Sequence, residues 1–151
     1  MSPIDHPAQL STPATTKIPF IDEEHDVIVE QWNQMLAYIS SGKGGAALEH
    51  IAEIRSFFEE HCEKEDRLFS THFEADQCTR IPNPHNLHKV IQSNLKEIHL
   101  LLLQIQVHGE ARQTAQERDT LLFVTARIIC LEMNEIDQTY IALLDSSNHG
   151  N

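Results

Sequence analysis

Glycine and proline are scarce. The chain has 5 glycines and 6 prolines among 151 residues, too few for a turn-rich sheet fold, so long helices are favoured. Basic residues are outnumbered: 11 Lys and Arg face 23 Asp and Glu, a formal net charge of -12 with histidine neutral. A surface of that sign repels phosphate backbones and anionic lipid heads, which excludes nucleic-acid and membrane-surface binding from the expected functions. Cysteine is limited to Cys62, Cys78 and Cys130, an odd number with no CxxC. They read as reduced thiols of a cytoplasmic protein and as small apolar filler. No long apolar run exists. The greasiest stretch, "LLLLQIQV", is far too short to span a bilayer. No apolar h-region follows Met1. A soluble, cytoplasmic protein is expected.

What is abundant is histidine, 10 residues, and it is the commonest metal ligand in its neutral form. The length suits one compact domain with a real core, and 40% of the residues are hydrophobic.

Residues 1–20 read as an irregular arm, because Pro3, Pro7, Pro13 and Pro19 each remove a backbone donor and fix φ. A four-helix unit is expected over 21–145, with a short tail at 146–151. The first helix is predicted from Asp22, a good N-cap, to Ser41 before "GKGG". His25, Val29, Trp32 and Leu36 share one face of it. The second is predicted from Ala46 to Ser70, with Ile51, Ile54, Phe58, His61, Glu65 and Leu68 on one face. The loop "DQCTRIPNP" follows, and Asn83 and Pro84 make a natural N-cap and N1 pair for the third helix. That helix runs to Val107 with His88, Ile91, Leu95, Ile98, Leu102 and Ile105 as its stripe. The fourth covers Arg112 to Leu144, with Leu121, Ile128, Ile129, Glu132, Ile136, Tyr140 and Leu143 near one side.

Four amphipathic helices with short connections predict an all-α, antiparallel up-down four-helix bundle with an irregular N-terminal arm. In that topology His25, His61, Glu65, His85, His88, Glu132 and Asp137 all fall at one end, facing inward. Buried carboxylates are costly unless paired, protonated or metal-bound, and bundles build dinuclear sites from inward carboxylates and histidines. These seven residues are the candidate metal ligands. Several have competing readings. His85 stands in a first turn beside a proline, where a solvated side chain is as natural. Glu132 could pair with Arg127 or Arg55, and Glu135 is an alternative inward carboxylate. His99 reads as a core or interfacial residue. His6, His50, His72, His108 and His149 read as exposed, and Tyr140 as packing or as a donor to a site carboxylate.

The pattern resembles hemerythrins. That family shows D-x-x-H with an asparagine eight residues on; here "DEEH" ends at His25 and Asn33 follows. It shows H-x-x-x-E-[ED] on the second helix; here "HCEKED" runs from His61 to Asp66. It shows H-x-x-x-H opening the third helix and H-x-x-x-x-D on the fourth. The likeness spans Pro19 to Leu144 and departs in two places. The third-helix motif is "HNLH", with His85 and His88 three apart, and the fourth is "EMNEID", with Glu132 where the family has histidine. The family's tryptophan four residues earlier is Ile128.

The resemblance implies a non-haem diiron centre that binds O2 or a related small oxidant such as peroxide or nitric oxide. His25 and His61 would be terminal ligands of the iron with an open position. Glu65 and Asp137 would be the carboxylate bridges. His88, His85 and Glu132 would hold the other iron. Glu132 adds a negative charge that favours the ferric state, which points from reversible carriage toward oxidase-like or peroxidase-like chemistry, or sensing. Zinc or manganese are alternative occupants. The rival functions are a metal-free interaction or sensor module, and iron or zinc sequestration without redox turnover.

Overall fold

The computed structural model describes residues 6–16, 18–75, 84–139 and 141–142, without the side chains of 70–75 and 84. Cys78, Asn83, Tyr140, Leu143, Leu144, His149 and the tail lie outside the described residues, as does the side chain of His72. The regular structure of the described residues is all helical, with no strand. Helix α1 spans Pro19–Ser40, α2 Gly44–Ala75, α3 Pro84–His108 and α4 Arg112–Leu131. A π-helical turn, Glu132–Ile136, continues α4 without a break, and residues 137–139 and 141–142 are helical again. Helix α1 packs on α2, α2 on α3, and α3 on α4. No helix among the described residues is long and apolar enough to cross a membrane.

The helix ends follow local chemistry. Helix α1 begins three residues before the predicted Asp22 cap. Pro19 takes the first helical position, where its fixed φ fits and its missing N–H loses nothing. Asp22 lies inside the helix and accepts a hydrogen bond from the Thr16 N–H at 2.6 Å. Gly109 closes α3 at φ 87, a conformation that costs glycine little, with its N–H donating to the Ile105 carbonyl at 2.8 Å. Helix α2 extends beyond Ser70 to Ala75.

The burial pattern on α1 is Ile21, His25, Ile28, Trp32, Met35 and Leu36, one face of an amphipathic helix. The arm is irregular, yet it belongs to the core. Ala8 and Leu10 are buried. The Trp32 indole N–H donates to the Ala8 carbonyl at 2.8 Å. Asn33 makes a reciprocal pair with Leu10, accepting from its N–H and donating to its carbonyl, each at 2.8 Å. Farther on, the Ala14 N–H donates to Asn134 Oδ1 at 2.7 Å and Gln138 donates to the Thr15 carbonyl at 3.1 Å. The arm therefore ties α1 to the π turn.

Two apolar clusters result. The larger includes Trp32, Met35, Ile51, Ile54, Phe58, Ile91, Leu95, Ile98, Leu122, Ile129 and Met133. The smaller holds Ile21, Phe69, Ile136 and Ile141. Between them, in chain register, each helix places its buried polar residues: His25, His61 with Glu65, His88, and Glu132 with Asp137.

Candidate metal centre

Helical geometry brings these six side chains together. On α2, His61 and Glu65 are i, i+4 neighbours on one face, and His61 Nε2 is in close contact with Glu65 Oε1. On the fourth helix, Glu132 and Asp137 are five apart. In a regular α-helix that spacing turns two side chains about 140° away from each other. The π turn removes the conflict: the Asp137 N–H bonds to the Glu132 carbonyl, the i to i+5 pattern of a π-helix, and both carboxylates face inward and are fully buried. Helix α1 supplies His25 and α3 supplies His88.

The donor atoms form two groups, each within 4.8 Å: His25, His61, Glu65 and Asp137, then Glu65, His88, Glu132 and Asp137. Glu65 and Asp137 belong to both. His25 Nε2 lies 3.0 Å from Asp137 Oδ2, and His88 Nε2 lies 2.7 Å from Glu132 Oε1.

Acidic partners orient two of the imidazoles from behind. His61 Nδ1 is 3.1 Å from Glu24 Oε1, and Glu24 is also held by Lys64 at 2.9 Å. His88 Nδ1 is 3.0 Å from Asp66 Oδ1. When each Nδ1–H donates to its carboxylate, the Nε2 lone pair is left to face the cluster, the arrangement that fixes metal-binding histidines.

A test of whether a metal fits comes from polar atoms that crowd together without making a hydrogen bond of acceptable geometry. Both ring nitrogens of His25, His61 Nε2, both oxygens of Glu65, Glu132 Oε2 and both oxygens of Asp137 are buried in that condition. Buried polar atoms are rarely left so. One donor atom from each of these residues falls within the two groups, and the donor set of imidazoles and carboxylates suits iron, zinc or manganese. The residues fit a dinuclear metal centre.

The electrostatics carry the same message. Burial opposes charging His25, yet Asp137 and Glu65 beside it outweigh that and lift its pKa to about 10. Burial also opposes charging His88, and Asp66, Cys62 and Glu132 raise it well above the usual histidine range. His61 is raised too, by Glu65 against burial. Glu132 is raised by burial and then by Asp137, and Asp137 by burial and then by Glu65. Burial and Glu132 would raise Glu65, but His25 and His61 hold it below the ordinary glutamate value. Without cations the cluster must hold protons to offset its carboxylates. Burial pushes the Cys62 thiol beside His88 up to about 12, so it stays protonated and offers no thiolate.

Six of the seven candidate ligands come together. His85 does not join them: its side chain is 43% exposed and its Nδ1 lies 2.8 Å from Asp66 Oδ2. Glu135 is exposed. The orienting acids Glu24 and Asp66 were missed as functional residues. Their signal was present, since each adjoins a ligand candidate within "DEEH" and "HCEKED".

Comparison of the chain with family models, curated proteins and solved structures finds no match in any of the three.

Proposed function

We propose that the protein is a hemerythrin-like, carboxylate-bridged non-haem diiron protein that binds O2 or a related small oxidant, peroxide or nitric oxide, in an antiparallel up-down bundle. The observation that carries this is the sharing of Glu65 and Asp137 between two four-residue donor groups. Shared carboxylates can bridge two ions, and a bridge is what separates a dinuclear site from two isolated ones. A cytoplasmic location goes with this reading, since Cys62 and Cys130 are free thiols.

His25 and His61 would hold one iron and His88 and Glu132 the other. When bound, the pair of irons would supply electrons to a small oxidant. The chain does the rest. Glu24 and Asp66 fix the tautomers of His61 and His88. Phe58 packs against His61 and His88, and the six candidate ligands are all buried, which limits water. The protonatable Asp137 and Glu132 provide places for a proton within the pocket. The extra negative charge of Glu132 favours the oxidised state and shifts the function from reversible carriage toward oxidation or sensing.

The chemistry is tested by metal analysis and a visible spectrum on protein reconstituted with ferrous iron and exposed to air. Two irons per chain with near-ultraviolet charge-transfer bands are expected. A colourless protein that retains zinc instead of iron would leave sequestration, and no stoichiometric metal of any kind would leave the interaction module.

A further inference from the structure

A second polar feature lies outside the metal cluster, in the seam between α2 and α3. Lys89, Gln92, Lys96 and His99 recur at spacings of three, four and three along α3, which makes one stripe of a helix. Helix α2 faces them with Arg55, Ser56 and Glu59. These residues line an open cavity of about 600 Å³ floored by Leu95. The volume lies within the range of small-molecule clefts.

The cavity gathers charge of the scarcer sign: acidic residues outnumber basic ones by 23 to 11, yet Arg55, Lys89 and Lys96 all line this one groove. Lys64 pairs with Glu24, and Arg118 with Glu110 and Asp119. Arg55, Lys89 and Lys96 make no ion pair among the described residues, although Glu59 stands in the same lining. Arg55 is nevertheless held in place. Its Nη1 lies 2.8 Å from His99 Nδ1. A guanidinium has only donors, so Nδ1 accepts and the proton of this imidazole sits on Nε2. The contact fixes the guanidinium without neutralising it. Three cations against one carboxylate, with an imidazole N–H, an amide and a hydroxyl, make a lining rich in donors, which matches a ligand that mainly accepts.

We propose that the α2–α3 groove binds a small molecule with two or more adjacent anionic groups, phosphate or carboxylate. A long polyanion is disfavoured, because it would run over the acidic surface outside the groove. A small one stays within reach of the three cations and is screened from distant carboxylates beyond about 8 Å at physiological salt. None of the lining residues belongs to the metal cluster, so the groove stands independently of the diiron assignment.

The test is calorimetric titration of the full chain with inorganic pyrophosphate and, separately, with citrate, with circular dichroism to verify folding. At least one probe should bind, more weakly as salt rises, and the one that binds names the anionic group. Arg55→Gln and Lys96→Gln should each weaken binding about tenfold, the loss expected for one charged hydrogen bond, while Arg112→Gln on α4 leaves it unchanged. Failure of both probes to bind overturns the proposal. So does binding that survives the Arg55→Gln, Lys96→Gln double variant, or binding that is lost in His61→Ala while Arg55→Gln retains it, because the probe would then be on the metal cluster.

Discussion

The apolar cluster containing Trp32, Ile54, Ile98 and Leu122 and the buried polar cluster around Glu65 adjoin along the same helices. They are equally sealed: Ile98 and Glu65 are both 0% exposed. Burial of the first is favourable, at roughly 25 cal/mol per Å² of apolar surface removed from water. Burial of the second is unfavourable until its charges are compensated. The helices are therefore stabilised by one region, and the other adds chemistry at a cost that a cation can offset. Burial alone says nothing about which role a residue plays. The partners do.

The sharpest separation of the two regions comes from substituting one residue in each. His61→Ala or Glu65→Ala should abolish dinuclear metal binding while circular dichroism shows an unchanged helical content, since the aliphatic stripes are intact. Ile98→Ala should do the reverse, lowering stability by about 2–5 kcal/mol in denaturant unfolding while the folded protein keeps its metal stoichiometry. If His61→Ala and Glu65→Ala both retain full metal, the polar region is not a metal site.

Chelation probes the cost directly. Metal that binds only the native state stabilises it by about 2.7 kcal/mol at a free concentration one hundred times Kd, so chelator should lower the unfolding midpoint. The increment should depend on pH with a definite sign. The His25 pKa is raised from 6.5 to about 10. In the metal-free protein its proton therefore stabilises the fold fully below 6.5, and that contribution disappears as pH climbs toward 10. Metal needs the deprotonated imidazole. The midpoint difference between loaded and metal-free protein should widen from pH 6.5 toward 10, and acid should release the metal. Melting curves that coincide across this range would argue for the metal-free module.

A smaller effect distinguishes the two halves of the polar cluster. Glu132→Ala should weaken metal in the half that includes His88 and spare the half that includes His25 and His61. Glu132→His removes a negative charge, so an anaerobically reduced sample admitted to air should oxidise more slowly than the parent. Equal rates would mean that Glu132 does not tune the redox state of the proposed iron centre. The smallest change is Asp66→Asn. It keeps the shape but weakens the acceptor behind His88, and metal affinity should fall about tenfold, the lower end of the usual cost for such an orienting group. Titration of metal-free protein measures it.

Much of this arrangement was legible in the amino-acid order. Period-3.6 stripes marked all four helices, and His61 with Glu65 at i, i+4 marked a shared face. Three things were not. The π turn was hidden because a stripe count assumes one helical period throughout, although two inward carboxylates five apart conflict with that period and so flag the exception. The arm's burial was hidden because Ala8 and Leu10 have no periodic company. The groups that tie them to the helices are the indole of Trp32 and the amide of Asn33, which lie more than twenty positions away. His85 was grouped with the ligands by motif spacing, which cannot see that Asp66 holds the side chain outside the cluster.

The π turn has a consequence for insertions and deletions. Two residues four apart share a face of an α-helix, so a chain shortened by one residue between Glu132 and Asp137 would present both carboxylates to the same place from a regular helix. The Met133–Ile136 stretch thus carries one residue more than the geometry demands. An extra codon in a helix ordinarily rotates everything downstream out of register. Here it is absorbed within a single turn, and Asp137 and Ile141 keep their inward faces.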